Sequence, residues 1–285
     1  MPTPMDHYAV FGHPVRHSLS PRIHRAFARQ TGEHIEYRAI EPPVDGFAAA
    51  LEEFLAAEGS GANVTLPFKA EAWERCDHHT ARAEQAGTVN TLRVHDDGRL
   101  TGDNTDGAGL MRDLAVNRGR GLDGQRVLLL GAGGAAHGII GPLLAAGVES
   151  LHIANRSPDR AQVLAEQFHA HALVTAGPLD PLPEGGFDLI LNATSASTRG
   201  EELALPEHIL GESCLAYDLA YSPDGGTDFT RWAQQHEANA ADGWGMLVEQ
   251  AAEAFCFWRG IRPDTAAWLA GPHRLEEIRE DPSKH

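Results

Sequence analysis

Val127-Leu128-Leu129-Leu130-Gly131-Ala132-Gly133-Gly134-Ala135-Ala136 is the stretch whose reading decides the fold. Four apolar residues in a row read as a buried parallel strand. The glycines then turn the chain, and His137-Gly138-Ile139-Ile140 opens an apolar helical pattern. Glycine at such a turn lets backbone N–H groups approach an anion closely, and the helix start that follows carries a partial positive charge. Gly131, Gly133 and Ala136 take the three places of G-x-G-x-x-G/A. A strand–helix turn with no ligand could carry the same letters. The strand before it and the helix after it favour a dinucleotide site.

The residues downstream bear on which dinucleotide. A site for NAD places Asp or Glu about 20 residues after the glycines, to take the ribose hydroxyls. This chain has Asn155, Arg156 and Arg160 there. A carboxylate would repel a 2′-phosphate, whereas a guanidinium chelates it. Both arginines could instead cap or solvate a helix start. Arg156 falls at a strand's carboxyl end, where open α/β sheets bind their ligands, so NADP is favoured over NAD.

Composition bounds the rest. The 285 residues suggest two domains, each able to bury a core at 42% hydrophobic content. A net charge of −17 argues against nucleic acid or an acidic membrane as a partner. Cys76, Cys214 and Cys256 have no metal or redox spacing and read as free buried thiols in a reducing compartment. The start is polar and Pro-rich, without a signal-peptide pattern, and no apolar run reaches membrane-spanning length; a soluble, cytoplasmic protein without a metal is expected. Assembly is left open, a homodimer included. Lysine occurs only at Lys69 and Lys284, so 21 of the 23 basic residues are arginine. A lysine inside a polar cluster then raises the question of what arginine could not do there.

Upstream, residues 8–12 and 35–40 read as strands. Ser20 is a natural N-cap with Pro21 at the first helical position, and Ile23, Ala26 and Phe27 give that helix its apolar face. An Ala-rich helix is expected over 47–57, a strand over 61–67, one helix over 70–85, and strands over 87–94 and 100–106. This half alternates strand and helix, which predicts a mostly parallel sheet. A helix over 107–117 bridges to the second half. There, strands over 150–154, 187–193 and 214–219 and a helix over 161–169 follow the opening unit. After a glycine-rich joint at Gly243 and Gly245, residues 246–258 have helical spacing and are expected to pack back on the first domain. The expected division is 1–106 plus 244–285 against 107–243. The charged tail from 279 is expected to fray.

Ser18, Ser20, Thr65 and Asn90 fall mostly on loops or strand ends of the first half, with Lys69 and Asp106. Hydroxyls, an amide and a Lys/Asp pair suit a small polyhydroxy acid. Taken singly, each has a structural explanation: Ser20 and Asp106 as caps, Asn63 and Asn90 as turn residues.

Taken together, these residues resemble the shikimate dehydrogenase family nearly end to end. The resemblance lies in Gly12 to Pro21 with its Ser-x-Ser pair, in Asn63-Val64-Thr65-Leu66-Pro67-Phe68-Lys69, and in Gly87 to Thr91. It continues through Gly102-Asp103-Asn104-Thr105-Asp106, Asn155 to Arg160, Asn192-Ala193-Thr194-Ser195, Tyr221 after Asp218, and Gly243 to Gln250. It implies an N-terminal, mostly parallel α/β substrate domain and a Rossmann-type dinucleotide-binding domain. By the same resemblance, Ser18 and Ser20 hold a substrate carboxylate, and Thr65, Asn90, Asp106, Tyr221 and Gln250 contact the ring and its hydroxyls. Lys69 is the catalytic group, with Asp106 beside it. Gly131, Ala132, Gly133, Gly134, Ala135, Asn155, Arg156, Ser157, Arg160, Leu219 and Gly243 surround NADP. Ala81 stands where many members have an acidic residue near the cofactor, and His137 replaces a commoner small or basic residue.

The activity so implied is reversible reduction of 3-dehydroshikimate to shikimate with NADPH, on the route to chorismate and the aromatic amino acids. Negative charge builds on the ketone oxygen as hydride arrives, and a positioned proton donor must meet it. Lysine can give up a proton at working pH and arginine cannot, which accounts for Lys69 in so lysine-poor a chain. Three rivals differ in class or specificity. A quinate/shikimate dehydrogenase would tolerate quinate and often NAD. A non-catalytic NADP-binding regulator need not keep Lys69 with Asp106. A methylene-tetrahydrofolate enzyme would need a larger, more aromatic pocket.

Overall fold

The computed structural model describes residues 5–168, 173–201, 203–222 and 226–270. The chain divides into two units, Met1–Gly109 with Val248–His285 and Leu110–Leu247. The charged tail from 279 lies outside the described residues, as does the end of the helix expected over 161–169.

The first unit runs β1 (Asp6–Phe11), α1 (Ser20–Thr31), β2 (Ile35–Ile40), α2 (Phe47–Ala56), β3 (Gly59–Val64), α3 (Lys69–Glu74), β4 (His78–His79), α4 (Ala81–Ala86), β5 (Thr91–Val94), β6 (Leu100–Asp103) and the start of α5 (Asp106–Arg112). Its sheet order is β2-β1-β3-β5-β6-β4. β1 pairs in parallel with β2 and β3, and β4 with β6, while β3–β5 and β5–β6 are antiparallel. Alternation along β1 explains its two covered faces. Ala9 and Phe11 join Phe47, Phe54, Phe68 and Leu92 in one core, and Tyr8 and Val10 join Tyr37, Ala254 and Trp258 in another. The second core holds the late helix against this sheet, where the Trp258 indole N–H donates to the Leu92 carbonyl at 2.9 Å.

Three local expectations are corrected here. Ser20 is the first residue of α1 rather than its cap; Leu19 precedes it with helical backbone angles, and no side chain caps the start. The Ser20 N–H is taken up instead by the Ser18 hydroxyl at 3.3 Å. The single helix expected over 70–85 is broken by β4, because His78 and His79 pair with Thr101 and Gly102 of β6. Thr80 then caps α4 by accepting from the Ala83 N–H. The helix expected over 107–117 begins one residue earlier and ends in a π-helical turn, Asp113–Asn117. There the buried Asp113 carboxylate accepts from the Tyr217 phenol at 2.8 Å and the Arg118 guanidinium at 2.9 Å.

The second unit continues with β7 (Arg126–Leu130), α6 (Gly134–Ala145), β8 (Ser150–Asn155), α7 (Pro158–Glu166), β9 (Val174–Pro178), β10 (Phe187–Asn192), α8 (Ala196–Arg199), β11 (Leu210–Asp218), α9 (Asp228–Gln235), β12 (Asn239–Ala241) and the start of α10 (Trp244–Arg259). The sheet order is β12-β11-β10-β7-β8-β9, and its five neighbouring pairs are all parallel. The uninterrupted apolar run of β7 follows from burial on both faces. Val127 and Leu129 enter one core and Leu128 and Leu130 the other. Strand order reverses between β7 and β10. Their carboxyl ends at Leu130 and Asn192 therefore mark the crevice where an open α/β sheet binds its ligand.

Candidate active site

In the first unit, β3 ends at Val64 and the chain turns tightly: the Thr65 N–H donates to the Phe11 carbonyl at 2.8 Å, and the Phe68 N–H to the Thr65 carbonyl at 3.0 Å. This turn delivers Lys69 at the start of α3. Its ammonium pairs with the carboxylate of Asp106, the first residue of α5, and each side chain is only 10% exposed. The other Asp106 oxygen accepts from the Asn90 amide at 2.8 Å. Asn90 precedes β5 and is fixed through its backbone, donating to the Asp103 carbonyl at 3.0 Å and accepting from the Val64 N–H at 2.8 Å. The Thr105 N–H donates to the Asn90 side-chain oxygen at 2.9 Å, and the Thr105 hydroxyl reaches Gln250 of α10 at 3.3 Å.

Lys69, Asp106, Asn90 and Gln250 thus form one hydrogen-bonded cluster from four separate segments. Ser18 and Ser20 form a second group, their hydroxyls 3.2 Å apart. Burial pushes the Tyr37 phenol well above its ordinary range, an effect the Ser20 hydroxyl beside it opposes. Thr65 lies on the connecting turn, with its side-chain methyl against Gly12. One ammonium among amides and hydroxyls can bind an oxygen-rich small anion and hand a proton to one of its oxygens.

The second unit carries the residues expected to hold a nucleotide. Gly131 has φ +104°, and a Cβ there would stand 3.0 Å from the Ala193 carbonyl carbon and oxygen. Only glycine holds that turn without strain. Among the described residues, and apart from its chain neighbours, a Cβ at Gly133 would meet nothing within 4 Å. Gly133 is the N-cap of α6, with no side-chain cap bond among the described residues, and Gly134 and Ala135 begin the helix; the first N–H groups of such a helix suit an anion. Ala132 lies between the two turn glycines, and Asn155 ends β8, its amide donating to the Ser157 carbonyl at 3.0 Å. Arg156 and Arg160 are exposed and form no ion pair among the described residues. Two unengaged guanidinia around a helix start suit a phosphate. Leu219 follows β11 and packs on Gly243, where a Cβ would come within 2.2 Å of the Leu219 carbonyl. These glycines, the helix start and the arginines fit NADP. Tyr221 also lies in this unit, edge-on to Trp244 with ring centroids 6.0 Å apart.

Sequence reading missed Asp218 as an organiser. Its buried carboxylate accepts from Asn192 at 3.2 Å, Thr227 at 2.6 Å and Ser197, joining the turn after β10 to the one after β11. Burial raises its carboxyl above the ordinary range, and the Ser197 and Thr227 hydroxyls work against that. It also gave Asn63 no role beyond a turn or a place in the family's motifs, Thr91 none beyond such a place, and Tyr37 none. All three are buried beside the lysine cluster. Among the described residues no group of side chains could hold a metal ion, and no helix is long and apolar enough to cross a membrane.

Three family models match the chain: the shikimate dehydrogenase substrate binding domain at residues 10–92, shikimate / quinate 5-dehydrogenase at 113–212, and the shikimate 5′-dehydrogenase C-terminal domain at 243–267. The NADP(+) shikimate dehydrogenase of Hahella chejuensis is 51% identical over 94% of this chain and 98% of its own. This chain belongs to the shikimate dehydrogenase family. Among solved structures, an Ael1 enzyme from Pseudomonas putida is 45% identical, covering 93% of this chain and 97% of its own, with a TM-score of 0.85. The Thermus thermophilus shikimate 5-dehydrogenase, solved in complex with NADP(H) and shikimate, is 35% identical over 96% of this chain and 98% of its own, with a TM-score of 0.81. The family's substrate-binding model spans Ser18, Ser20, Thr65, Lys69 and Asn90. The model over 113–212 spans the glycine turn and both arginines, and the C-terminal one Gly243 and Gln250. Asp106, Leu219 and Tyr221 fall between these matched segments.

Proposed function

We propose that the chain reduces 3-dehydroshikimate reversibly to shikimate with NADPH, as a step of aromatic amino-acid biosynthesis. The observation that carries this reading is the buried Lys69–Asp106 pair, bonded through Asn90 and Thr105 to Gln250. It is supported by the near-full-length identity to NADP(+) shikimate dehydrogenases. When bound, NADPH supplies the hydride for the ring ketone. Lys69 holds a proton at Nζ and delivers it to the ketone oxygen as charge builds there. Asp106 orients that ammonium and accepts a hydrogen bond from a substrate hydroxyl. Ser18 and Ser20 hold the substrate carboxylate, while Thr65, Asn90, Tyr221 and Gln250 contact the ring and its hydroxyls.

In the same reading, residues 1–106 with 244–285 bind substrate and 107–243 bind the nucleotide. Gly131 to Ala135, Leu219 and Gly243 hold the dinucleotide, and Asn155, Arg156, Ser157 and Arg160 read its 2′-phosphate. We place this work in the cytoplasm, where NADPH and the pathway's small acids are supplied. Light scattering decides between a monomer near 30.7 kDa and a homodimer. The test of function is turnover of shikimate against quinate, each with NADP⁺ and NAD⁺, followed at the NADPH absorbance band. Turnover with shikimate and NADP⁺ is expected to exceed the other three pairs. Quinate turned over as fast as shikimate would support the broader quinate/shikimate specificity instead, and no turnover with any pair would remove the reading.

A further inference from the structure

Behind the lysine pair lies a chain of hydrogen bonds that the proposed reaction does not itself require. The Tyr37 phenol donates to the Asn63 side-chain oxygen at 2.7 Å, and the Asn63 amide donates to the Thr91 hydroxyl at 3.0 Å. The Thr91 hydroxyl donates to the Asn90 side-chain oxygen at 2.8 Å, and the Asn90 amide donates to Asp106 at 2.8 Å. Exposure is 4% at Tyr37, 6% at Asn63, 0% at Thr91 and 2% at Asn90, so water does not offer these groups alternative partners.

The direction of the chain is set by backbone groups whose roles are fixed. The Asn63 NH₂ faces the Asn90 backbone carbonyl at 3.3 Å, which only accepts, so the Asn63 oxygen is the atom turned to Tyr37. The Asn90 side-chain oxygen faces the Thr105 backbone N–H at 2.9 Å, which only donates, so the Asn90 NH₂ is the group turned to Asp106. Thr91 stands between these two amides. It receives a hydrogen from Asn63 and has one hydrogen of its own, which goes to Asn90. A reversed Asn63 amide would set its oxygen against the Asn90 carbonyl, and a reversed Asn90 amide would set donor against donor at the Thr105 N–H and acceptor against acceptor at Asp106, each costly in a dry site.

We infer that the Thr91 hydroxyl is a positioning group for the proposed reaction: with Asn63 and Tyr37 behind it, it joins the Thr105 N–H in holding the Asn90 side-chain oxygen, so that Asn90 presents its NH₂ to Asp106, which in turn aims Lys69. The inference rests on the proposed function, since what it positions is the acid–base pair of that reaction. Thr91 touches no reacting atom and acts through Asn90.

The experiment compares purified wild type, Thr91→Val, Thr91→Ser and Tyr37→Phe in steady-state reduction of 3-dehydroshikimate with NADPH. Thr91→Val keeps the shape of the side chain and removes the hydroxyl. Its kcat is expected to fall about tenfold, with the KM for NADPH unchanged. Thr91→Ser restores the hydroxyl and is expected to stay within about twofold of wild type. Tyr37→Phe removes the outermost link and is expected to lower kcat about threefold; it supplies the reading if Thr91→Val does not fold. A Thr91→Val enzyme with wild-type kcat, or a Thr91→Ser enzyme as slow as Thr91→Val, overturns the inference while the proposed function stands. A folded wild type without turnover overturns both.

Discussion

Removing the Lys69 side chain separates chemistry from stability. The ammonium pairs with Asp106, and both side chains are 10% exposed. Lys69→Ala removes the proposed proton donor, and loss of a positioned general acid costs about 10²–10⁴ in kcat, or about 3–5 kcal/mol of barrier. It also leaves a buried carboxylate without its cation. Breaking a buried pair from one side costs about 3–5 kcal/mol of stability. The low end applies here, because Asp106 keeps the Asn90 amide at 2.8 Å. A domain with about 5–15 kcal/mol of stability survives that loss, so the variant can be assayed folded. The double variant Lys69→Ala with Asp106→Asn removes the stranded charge. It should recover most of the stability and none of the kcat. Lys69→Arg keeps a cation but cannot release its proton, and should be as slow as Lys69→Ala. The assays are urea unfolding and steady-state kcat at saturating NADPH and 3-dehydroshikimate. Lys69→Arg with kcat within about fivefold of wild type would refute the proton-donor role, since no such difference follows from a 10²-fold acid effect.

Arg156→Ala with Arg160→Ala should raise the KM for NADPH by about 10–100-fold and leave that for NADH nearly unchanged, because each lost guanidinium–phosphate contact is worth about 1.5–3 kcal/mol before solvent screening; equal losses would show that these arginines do not read the 2′-phosphate. Gly243→Ala should destabilise the chain by about 1–3 kcal/mol, read by urea unfolding, since the new Cβ would lie 2.2 Å from the Leu219 carbonyl and backbone cannot swing aside as a side chain can; an unchanged midpoint would contradict that close approach. His24 is buried against Tyr37, with ring centroids 4.4 Å apart, and neither ring nitrogen has a hydrogen-bond partner among the described residues. Burial lowers its pKa to about 3, which nearby Asn63 only partly opposes. Protonation then favours the unfolded chain, so this residue's contribution is fully present above pH of about 6.5 and shrinks by about 1.4 kcal/mol per unit as the pH falls towards 3. His24→Phe should lose about 2–3 kcal/mol less than wild type between pH 6.5 and 4.5 in urea titrations; parallel pH profiles would contradict it.

How far the fold could be read depended on whether an element's signal was local. β7 carries its own evidence, an apolar run ended by glycines, because it is covered on both faces. β9 and β12 carry none. β12 is Asn239–Ala241, three residues without an apolar run, and is a strand only because Leu215 to Tyr217 offer it a parallel partner. β4 is the same case with a further cost to prediction: two histidines inside a helical pattern become a strand when β6 arrives beside them. α9 did have a local sign, the capping box of Thr227 with Thr230, but its anchor is Asp218, nine residues earlier.

The site divides along a different line. Lys69 could be singled out from composition and chemistry together, because a residue type almost absent from the chain offers an exchangeable proton that arginine does not. Asp106 and Asn90 were visible only as residues that caps and turns also use, and nothing in their spacing says that they meet. They meet because Asn90 is fixed at the junction of β3, β5 and β6 through bonds to Val64 and Asp103. The same junction makes Asn63, Thr91 and Thr105 neighbours although they span 42 residues of chain. In one dimension a threonine in a strand reads as β propensity. It becomes a directional link only when an amide stands on either side of it, one able to give a hydrogen and the other to take one. Candidate residue types for a polar site can therefore be listed from sequence, but the order of donors and acceptors among them is a property of strand pairing. That makes the hydroxyl of Thr91, rather than its position in β5, the quantity to vary.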